Sequence, residues 1–290
     1  MSGLLASIPS PSGGEISLGP ISIHAYGLML LLAIAAAVWL SGLRWTRRGG
    51  DWDLVFRVAI WGVAAGIVGA RAYHVITSWD QVPDEWWGVF AVWEGGLGVW
   101  GGIGLGTIVG AIVVRRSGAS VARFIDTAAP GLLLAQAVGR WGNWWNQELF
   151  GGPTDRPWGL EIDPENRPTE HLEAETFHPT FLYESLWNLL GVGVLLAVDR
   201  IWRIRPPALF ALYVAWYSLG RFFIEHLRVD PAHEWGPWRL NAWVALAFFV
   251  VSLLAFVWIQ LVRPRRQRRR AETPKKPPPA MAIPKGRVRG

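Results

Sequence analysis

Gly139-Arg140-Trp141-Gly142-Asn143-Trp144-Trp145-Asn146-Gln147-Glu148 decides how the chain is read, with Gly151 just beyond it. The run before it, Ala128 to Val138, holds no charged residue. An arginine, two asparagines, a glutamine and a glutamate then arrive together among tryptophans. If the apolar run lies in a bilayer, this cluster sits at the level of the lipid headgroups.

Working outward, the same alternation repeats. Long apolar runs are separated by short clusters of charge, and only 17% of the residues are charged, against roughly 25% in ordinary globular domains. This points to an all-α, polytopic membrane protein rather than a large soluble core. Seven spans are predicted, at about 21–43, 54–76, 95–114, 121–138, 179–198, 208–224 and 240–262, each near the ~20 residues that cross a hydrocarbon core. Residues 1–20 lack the basic start of a signal peptide, and the apolar run after them is too long for its core, so the first run is read as a true span. Many tryptophans, among them Trp45, Trp52, Trp79, Trp86, Trp144, Trp145, Trp235 and Trp238, fall at span ends, as an interfacial belt requires.

Charge sets the orientation. Arg44, Arg47 and Arg48 close the first span, Arg115 and Arg116 the third, and Arg200, Arg203 and Arg205 the fifth. A run from Arg263 to Arg270 follows the seventh. The connector after the second span carries Asp80, Asp84, Glu85 and Glu94 and no basic residue; the long loop after the fourth, about 141–177, is also acidic. Arginine-rich ends are cytoplasmic by the positive-inside rule. The N-terminus is then outside, the C-terminus inside, and a large extracytoplasmic loop joins helices 4 and 5. Residues 263–290 read as a disordered basic tail attracted to anionic lipid, not as a nucleic-acid element.

The chain has no cysteine, which excludes a disulfide, a zinc–thiolate site and a protein thiol nucleophile. It has no Gly-x-Ser-x-Gly elbow, His-Glu-x-x-His pair, Walker loop or dinucleotide fingerprint, and its histidines are not at metal-ligand spacing. Neither a metal nor a cofactor is implied. Gly98, Gly102, Gly106 and Gly110 form a stripe that lets helix backbones approach closely.

Arg140, Asn143 and Gln147 fall on one face if their helix continues. A guanidinium with carboxamides beside it is a natural phosphate holder. Arg221 and Glu225 are four apart near the outer end of the sixth span, and two readings stand. They are an internal ion pair, as intramembrane charges usually are, or Arg221 is a second phosphate ligand with Glu225 orienting it or acting as base. Tyr26 with His24, Arg71 with Tyr73, and the His178–Glu184 stretch are placed on the same membrane face.

The long stretch, followed by Gly151 and Thr154, resembles the signature of the prolipoprotein diacylglyceryl transferase family. His24-Ala25-Tyr26-Gly27, Gly69-Ala70-Arg71, Glu94-Gly95-Gly96-Leu97, His178-Pro179 with Tyr183-Glu184, and Arg221 to Arg228 match in the same order. The resemblance covers spans 1 to 6 and the outer loop. It implies a seven-helix enzyme of the bacterial plasma membrane with its active site toward the extracytoplasmic face. The implied reaction moves diacylglyceryl from phosphatidylglycerol to the lipobox cysteine of a preprolipoprotein, releasing glycerol phosphate, as the first step of lipoprotein maturation. It implies catalytic roles for Arg140, Asn143, Glu148, Arg221, Glu225 and Tyr26, and lipid contacts from Arg140, Asn143, Arg221, Tyr26, Asn146 and Gly151. One departure stands out: a histidine often found in the family is replaced by Trp100 in Trp100-Gly101-Gly102. Glu148, Glu225 and His24 are the candidate bases in its place. A transporter would use the same arginines as an anion site, and a phospholipid phosphatase would need a nucleophile or metal set that the sequence does not display.

Overall fold

The computed structural model describes residues 7–11, 13–18 and 21–262; the predicted tail, 263–290, lies outside the described residues. The chain is mostly helical. Strand β1 (Glu15–Leu18) pairs antiparallel with β2 (Ile21–His24), ahead of helices α1 (Ala25–Arg47), α2 (Trp52–Thr77), α3 (Val99–Arg116) and α4 (Val121–Trp145). After a long loop come α5 (Thr180–Ile201), α6 (Ala208–Glu225) and α7 (Leu240–Val257), the last prolonged by a π-helical turn, Trp258–Val262. Among the described residues six helices, α1 to α5 and α7 with its turn, are long and apolar enough to cross a membrane. They fit a multi-pass membrane protein. Helix α6, the sixth predicted span, is not among the six, because Arg221 and Glu225 lower the hydropathy of its 18 residues.

The boundaries differ from the expected spans where local chemistry intervenes. The first helix starts at Ala25, not Ile21, because Ile-Ser-Ile-His alternates and contains β-branched residues, a strand pattern. The third starts at Val99, because Gly95 (φ 87°) and Gly96 (φ 65°) hold the preceding connector in left-handed backbone. The fourth runs two turns past Val138, to Trp145.

Helix α1 lies along α4, α2 along α3 and α6 along α7, while α5 packs on α4 and α6. The predicted stripe faces α2: Gly98 meets Tyr73, Gly102 meets Gly66, Gly106 meets Gly62 and Gly110 meets Val58. The closest approach is at Gly101, outside that stripe, where a Cβ would stand 2.2 Å from the Gly69 carbonyl oxygen.

Helix α4 contains Pro130, which cannot donate to the carbonyl of Asp126 one turn earlier. Arg44 of α1 supplies donors instead, from Nη1 to the carbonyls of Asp126 (3.3 Å) and Thr127 (2.7 Å). Helices α5 and α6 are joined by a reciprocal lock. Trp187 Nε1 donates to the Trp216 carbonyl and Trp216 Nε1 to the Trp187 carbonyl, both at 3.0 Å, with the indoles stacked 4.5 Å apart. Each indole reaches the opposite backbone over a glycine: a Cβ on Gly191 or on Gly220 would lie 2.3 Å from the facing indole nitrogen.

The loop between α4 and α5 has its own apolar core of Phe150, Leu160, Ile162 and Phe177, closed by Phe181 of α5. Its strands β3 (Leu160–Glu161) and β4 (Thr176–Phe177) pair antiparallel. Ile8 lies beside β3, with its N–H on the Gly159 carbonyl and its carbonyl receiving the Glu161 N–H.

Gly191→Ala should destabilise the protein by about 1–3 kcal/mol, the usual cost of overpacking, seen as a lower unfolding temperature in detergent. Combining it with Trp216→Phe, which removes the indole nitrogen in the way, should make the two costs clearly non-additive. Additive costs would mean that the indole and the glycine do not share this contact.

Candidate active site

The end of α4 carries the predicted cluster, and the ends of α1, α5 and α6 meet it. Arg140 points toward α5, and its Nη2 lies 2.6 Å from Glu184 Oε2. It also approaches Asn143 Oδ1 (3.4 Å) and the Tyr217 hydroxyl (3.5 Å). The other oxygen of Glu184 takes Arg221 Nη1 at 3.5 Å, and Arg221 Nη2 lies 2.6 Å from Glu225 Oε2. Arg140 and Arg221 therefore share one carboxylate, drawn from a third helix. The side chain of Glu184 is only 7% exposed, and those of the arginines 18% and 19%, so this is a buried network.

The network continues outward. Arg239 Nε lies 3.2 Å from Glu225 Oε1, which also accepts from Asn241 Nδ2 at 3.3 Å. Arg239 and Arg228 then hold Asp230 at 3.0 and 2.6 Å. Burial alone would raise the Asp230 carboxyl; the hydrogen bond and charge of Arg228, with Arg239, outweigh it and hold it below its ordinary value. The short hairpin of β5 (Glu234–Trp235) and β6 (Trp238–Arg239) delivers Arg239 to this position.

Glu148 is held differently. Helix α4 stops at Trp145, and Gln147 (φ 48°) and Leu149 (φ 59°) are left-handed although neither is glycine. Such strain survives only where surroundings over-determine it. Here the Gln147 amide bridges the loop, donating to the Pro11 carbonyl and to Asp163 Oδ2 while accepting the Asp163 N–H. The chain turns back, and Glu148 Oε1 accepts from Asn143 Nδ2 at 2.8 Å and Asn146 Nδ2 at 3.4 Å. No guanidinium pairs with Glu148 among the described residues.

A cavity of about 670 Å³ opens beneath the cluster, between α1, α2, α3 and α4. Tyr26, Arg140, Asn143 and Gln136 supply polar groups, and Leu30, Ile34, Leu132 and Phe124 belong to the apolar remainder. From Arg140 to Phe124 it follows about 24 Å of helix at 1.5 Å per residue. Tyr26 lies over Gly142, where a Cβ would come within 2.7 Å of the ring.

The helical face expected for Gln147 is corrected, and the other predicted residues are placed by their contacts. Gln147 does not share a face with Arg140, because the helix ends first. Arg71 is not at the cluster; it is buried and donates to the carbonyls of Gly88, Val89, Gly95 and Gly96, pinning the α2–α3 connector. Tyr73 packs on Gly98 and Gly101. His178, at the end of the loop, and Tyr183, in the first turn of α5, bond each other at 3.1 Å. Burial and the charge of Arg156 keep His178 below its ordinary value. Gly151 is a backbone joint: its N–H donates to His178, and His178 and Leu227 leave no room for a Cβ. Asn146 is exposed and reaches the cluster only through Glu148. His24 pairs with Glu15 in the open, away from the arginines. Trp100 is 57% exposed and does not line the cavity, whose wall at this point is Val99 and Ile103. Glu184, Tyr217 and Arg239 are the members that were not singled out from sequence as site residues. A lone carboxylate at an apolar helix start was the available signal for Glu184. Among the described residues no group of three or more His, Cys, Asp or Glu could hold a metal.

Comparison with known proteins finds similar chains. The family model described as prolipoprotein diacylglyceryl transferase matches residues 15–258. A phosphatidylglycerol–prolipoprotein diacylglyceryl transferase of Cutibacterium acnes is 48% identical over 257 residues, covering 88% of this chain and 87% of that protein. Proteins of the same name from Streptomyces coelicolor (numbered 2 there) and Bifidobacterium adolescentis are 46% and 44% identical, over 87% and 88% of this chain and 81% of each relative. With the model spanning the strand before α1 to the end of α7, the chain belongs to the prolipoprotein diacylglyceryl transferase family.

Proposed function

We infer that this chain transfers the diacylglyceryl group of phosphatidylglycerol to the lipobox cysteine of a preprolipoprotein and releases glycerol phosphate. One observation carries the residue-level reading: Arg140 stands at the head of the apolar cavity and shares Glu184 with Arg221. A lipid whose tail follows α4 brings its phosphate to that head. All seven helices cross the bacterial plasma membrane in this reading. Helix α6, at 18 residues, is about 27 Å long, close to the ~30 Å hydrocarbon core. The arginine-rich ends of α1, α3 and α5 then face the cytoplasm, and the Arg140 cluster with the α4–α5 loop faces outward.

The thiolate sulfur of the acceptor attacks the glyceryl carbon that bears the phosphodiester. A C–S bond forms, the C–O bond breaks, and the electron pair leaves on the phosphate oxygen. Arg140 and Arg221 stabilise that growing charge. The tight turn at 147–149 aims Glu148 at the cluster, and its freedom from guanidinium partners leaves it able to accept a proton. The thiol, ordinarily near pKa 8.5, gives up its proton to Glu148. Glu225 cannot act so easily, because Arg221, Arg239 and Asn241 occupy its oxygens. Tyr26 and Asn143 line the path between cavity and cluster, and Asn143 joins Arg140 to Glu148.

Arg140→Ala should lower transfer of labelled diacylglyceryl to a lipobox peptide by about 10²–10³-fold, the range for losing one preorganised donor to a transition-state charge. Arg140→Lys should not restore it, because the fork of donors is lost. Near-normal transfer by an inserted, folded Arg140→Ala protein would remove Arg140 from the reaction.

Glu184→Gln should behave differently. It leaves two buried guanidiniums short of a carboxylate, a change of about 3–5 kcal/mol for a broken buried pair. Transfer and unfolding temperature should fall together. A loss of transfer at unchanged stability would assign Glu184 to the chemistry instead of to holding the arginines.

A further inference from the structure

A second group of arginines lies at the far pole of the molecule. The helix from Thr127 to Arg140 is about 20 Å long, so Arg44, bonded to the Thr127 carbonyl, is separated from the active-site cluster by most of a membrane thickness. Arg44 is 6% exposed, and its Nη2 meets Asp199 Oδ2 at 2.7 Å. Arg48 reaches the same carboxylate at 2.5 Å and the Thr127 hydroxyl at 2.9 Å. A cavity of about 470 Å³ opens over this pair, walled by Arg44, Arg47, Arg48, Leu196, Asp199 and Arg200. Four guanidiniums and one carboxylate line the cavity, and the Asp126 carboxylate behind it, turned to the Phe210 N–H, acts on Arg44 and Arg48 as well, which leaves a formal excess of two positive charges.

We propose that this cavity binds a phosphate-bearing anion, the headgroup of an anionic lipid in the leaflet opposite the active site or free phosphate. Arginines that only orient the chain need no convergence. Here residues from α1 and α5, some 150 positions apart, meet around a floor already fixed by backbone carbonyls and Asp199. Arg47 and Arg200 are exposed at its rim and have no hydrogen-bond or ion-pair partner among the described residues. Their forks match phosphate oxygens bidentately. Leu196 supplies an apolar wall where an acyl chain would begin. Basic pockets between helices on a cytoplasmic face suit phosphorylated headgroups. The leaflet assignment rests on the membrane orientation proposed above, whereas the anion site itself does not.

Native mass spectrometry of the purified full chain tests this, using phosphatidylserine, which is anionic but not the proposed donor, against phosphatidylcholine. The wild type should hold phosphatidylserine preferentially. Arg47→Gln/Arg200→Gln should bind it on the order of thirtyfold more weakly, from roughly fivefold per basic residue at an anionic surface. Arg140→Ala should keep the adduct and lose only transfer, so the two sites are read separately, and the double variant should keep basal transfer. Arg47→Lys/Arg200→Lys, which preserves charge, should weaken binding less and controls for misfolding. Displacement of the lipid by millimolar inorganic phosphate would assign the same site to free phosphate. Equal retention of phosphatidylserine by wild type and the glutamine variant, or no preference over phosphatidylcholine, would overturn the proposal.

Discussion

The arrangement depends on one carboxylate. Glu184 holds Arg140 with one oxygen and Arg221 with the other, and so ties α4, α5 and α6 together where the end of α4 meets the start of α5 and the end of α6. In a site this dry, an unpaired guanidinium costs several kcal/mol. The arginines are therefore not free to wander, and their separation is set by the width of one carboxylate. The Trp187–Trp216 lock just below holds α5 against α6, so Glu184 and Arg221 cannot drift apart. Arg239 repeats the device one step outward by closing on Glu225. Packing at the glycines thus fixes helices, the helices fix charges, and the charges define the site proposed to hold the lipid phosphate.

Much of the fold was legible because membranes simplify the code. Every backbone polar group must be satisfied within its own helix, so long apolar runs become helices, and the Gly98–Gly110 stripe did face a neighbour. Errors fell where backbone leaves that regime: the Ile21–His24 strand, the glycine turn before α3, and the end of α4. Gln147 shows the difficulty. Helical spacing put it beside Arg140, yet its left-handed backbone sends the amide to Asp163, a partner that only the folded loop provides. Gly101 was passed over because the stripe was read at a strict spacing of four, whereas the α2–α3 crossing brings its neighbour closest.

Among the candidate site residues, the sequence displayed the arginines and amides better than their partners. Arg140 and Arg221 lie in polar clusters that announce themselves. Glu184 is a single acid in an apolar helix, and its meaning comes from which helices pack together. Arg239 ends a hairpin that Gly236-Pro237 marks in the sequence, but its contact with Glu225 depends on how α6 and α7 pack. The same blindness applied in reverse to Arg71, whose span-end position looked like that of Arg140. Its four carbonyl partners identify it as a clasp on the α2–α3 connector, a structural duty that spacing does not distinguish from binding.

The pairing of both arginines leaves little net charge at the site, and the proposed reaction sets what that pairing does. Phosphatidylglycerol presents a phosphodiester with one negative charge. The departing glycerol phosphate is a monoester, and it gains a second charge as the C–O bond breaks. Glu184 lowers the positive potential that the arginines present to the diester, so less of their attraction goes into holding the substrate, and the same potential acts on the second charge as it develops. Because Glu184 and Glu225 hold the two guanidiniums in place beforehand, stabilising that charge in the proposed reaction needs no reorganisation of the site. Only the part realised as the charge grows raises the rate and not merely the affinity. The carboxylate thus serves the proposed chemistry by positioning the arginines, not by adding to their pull.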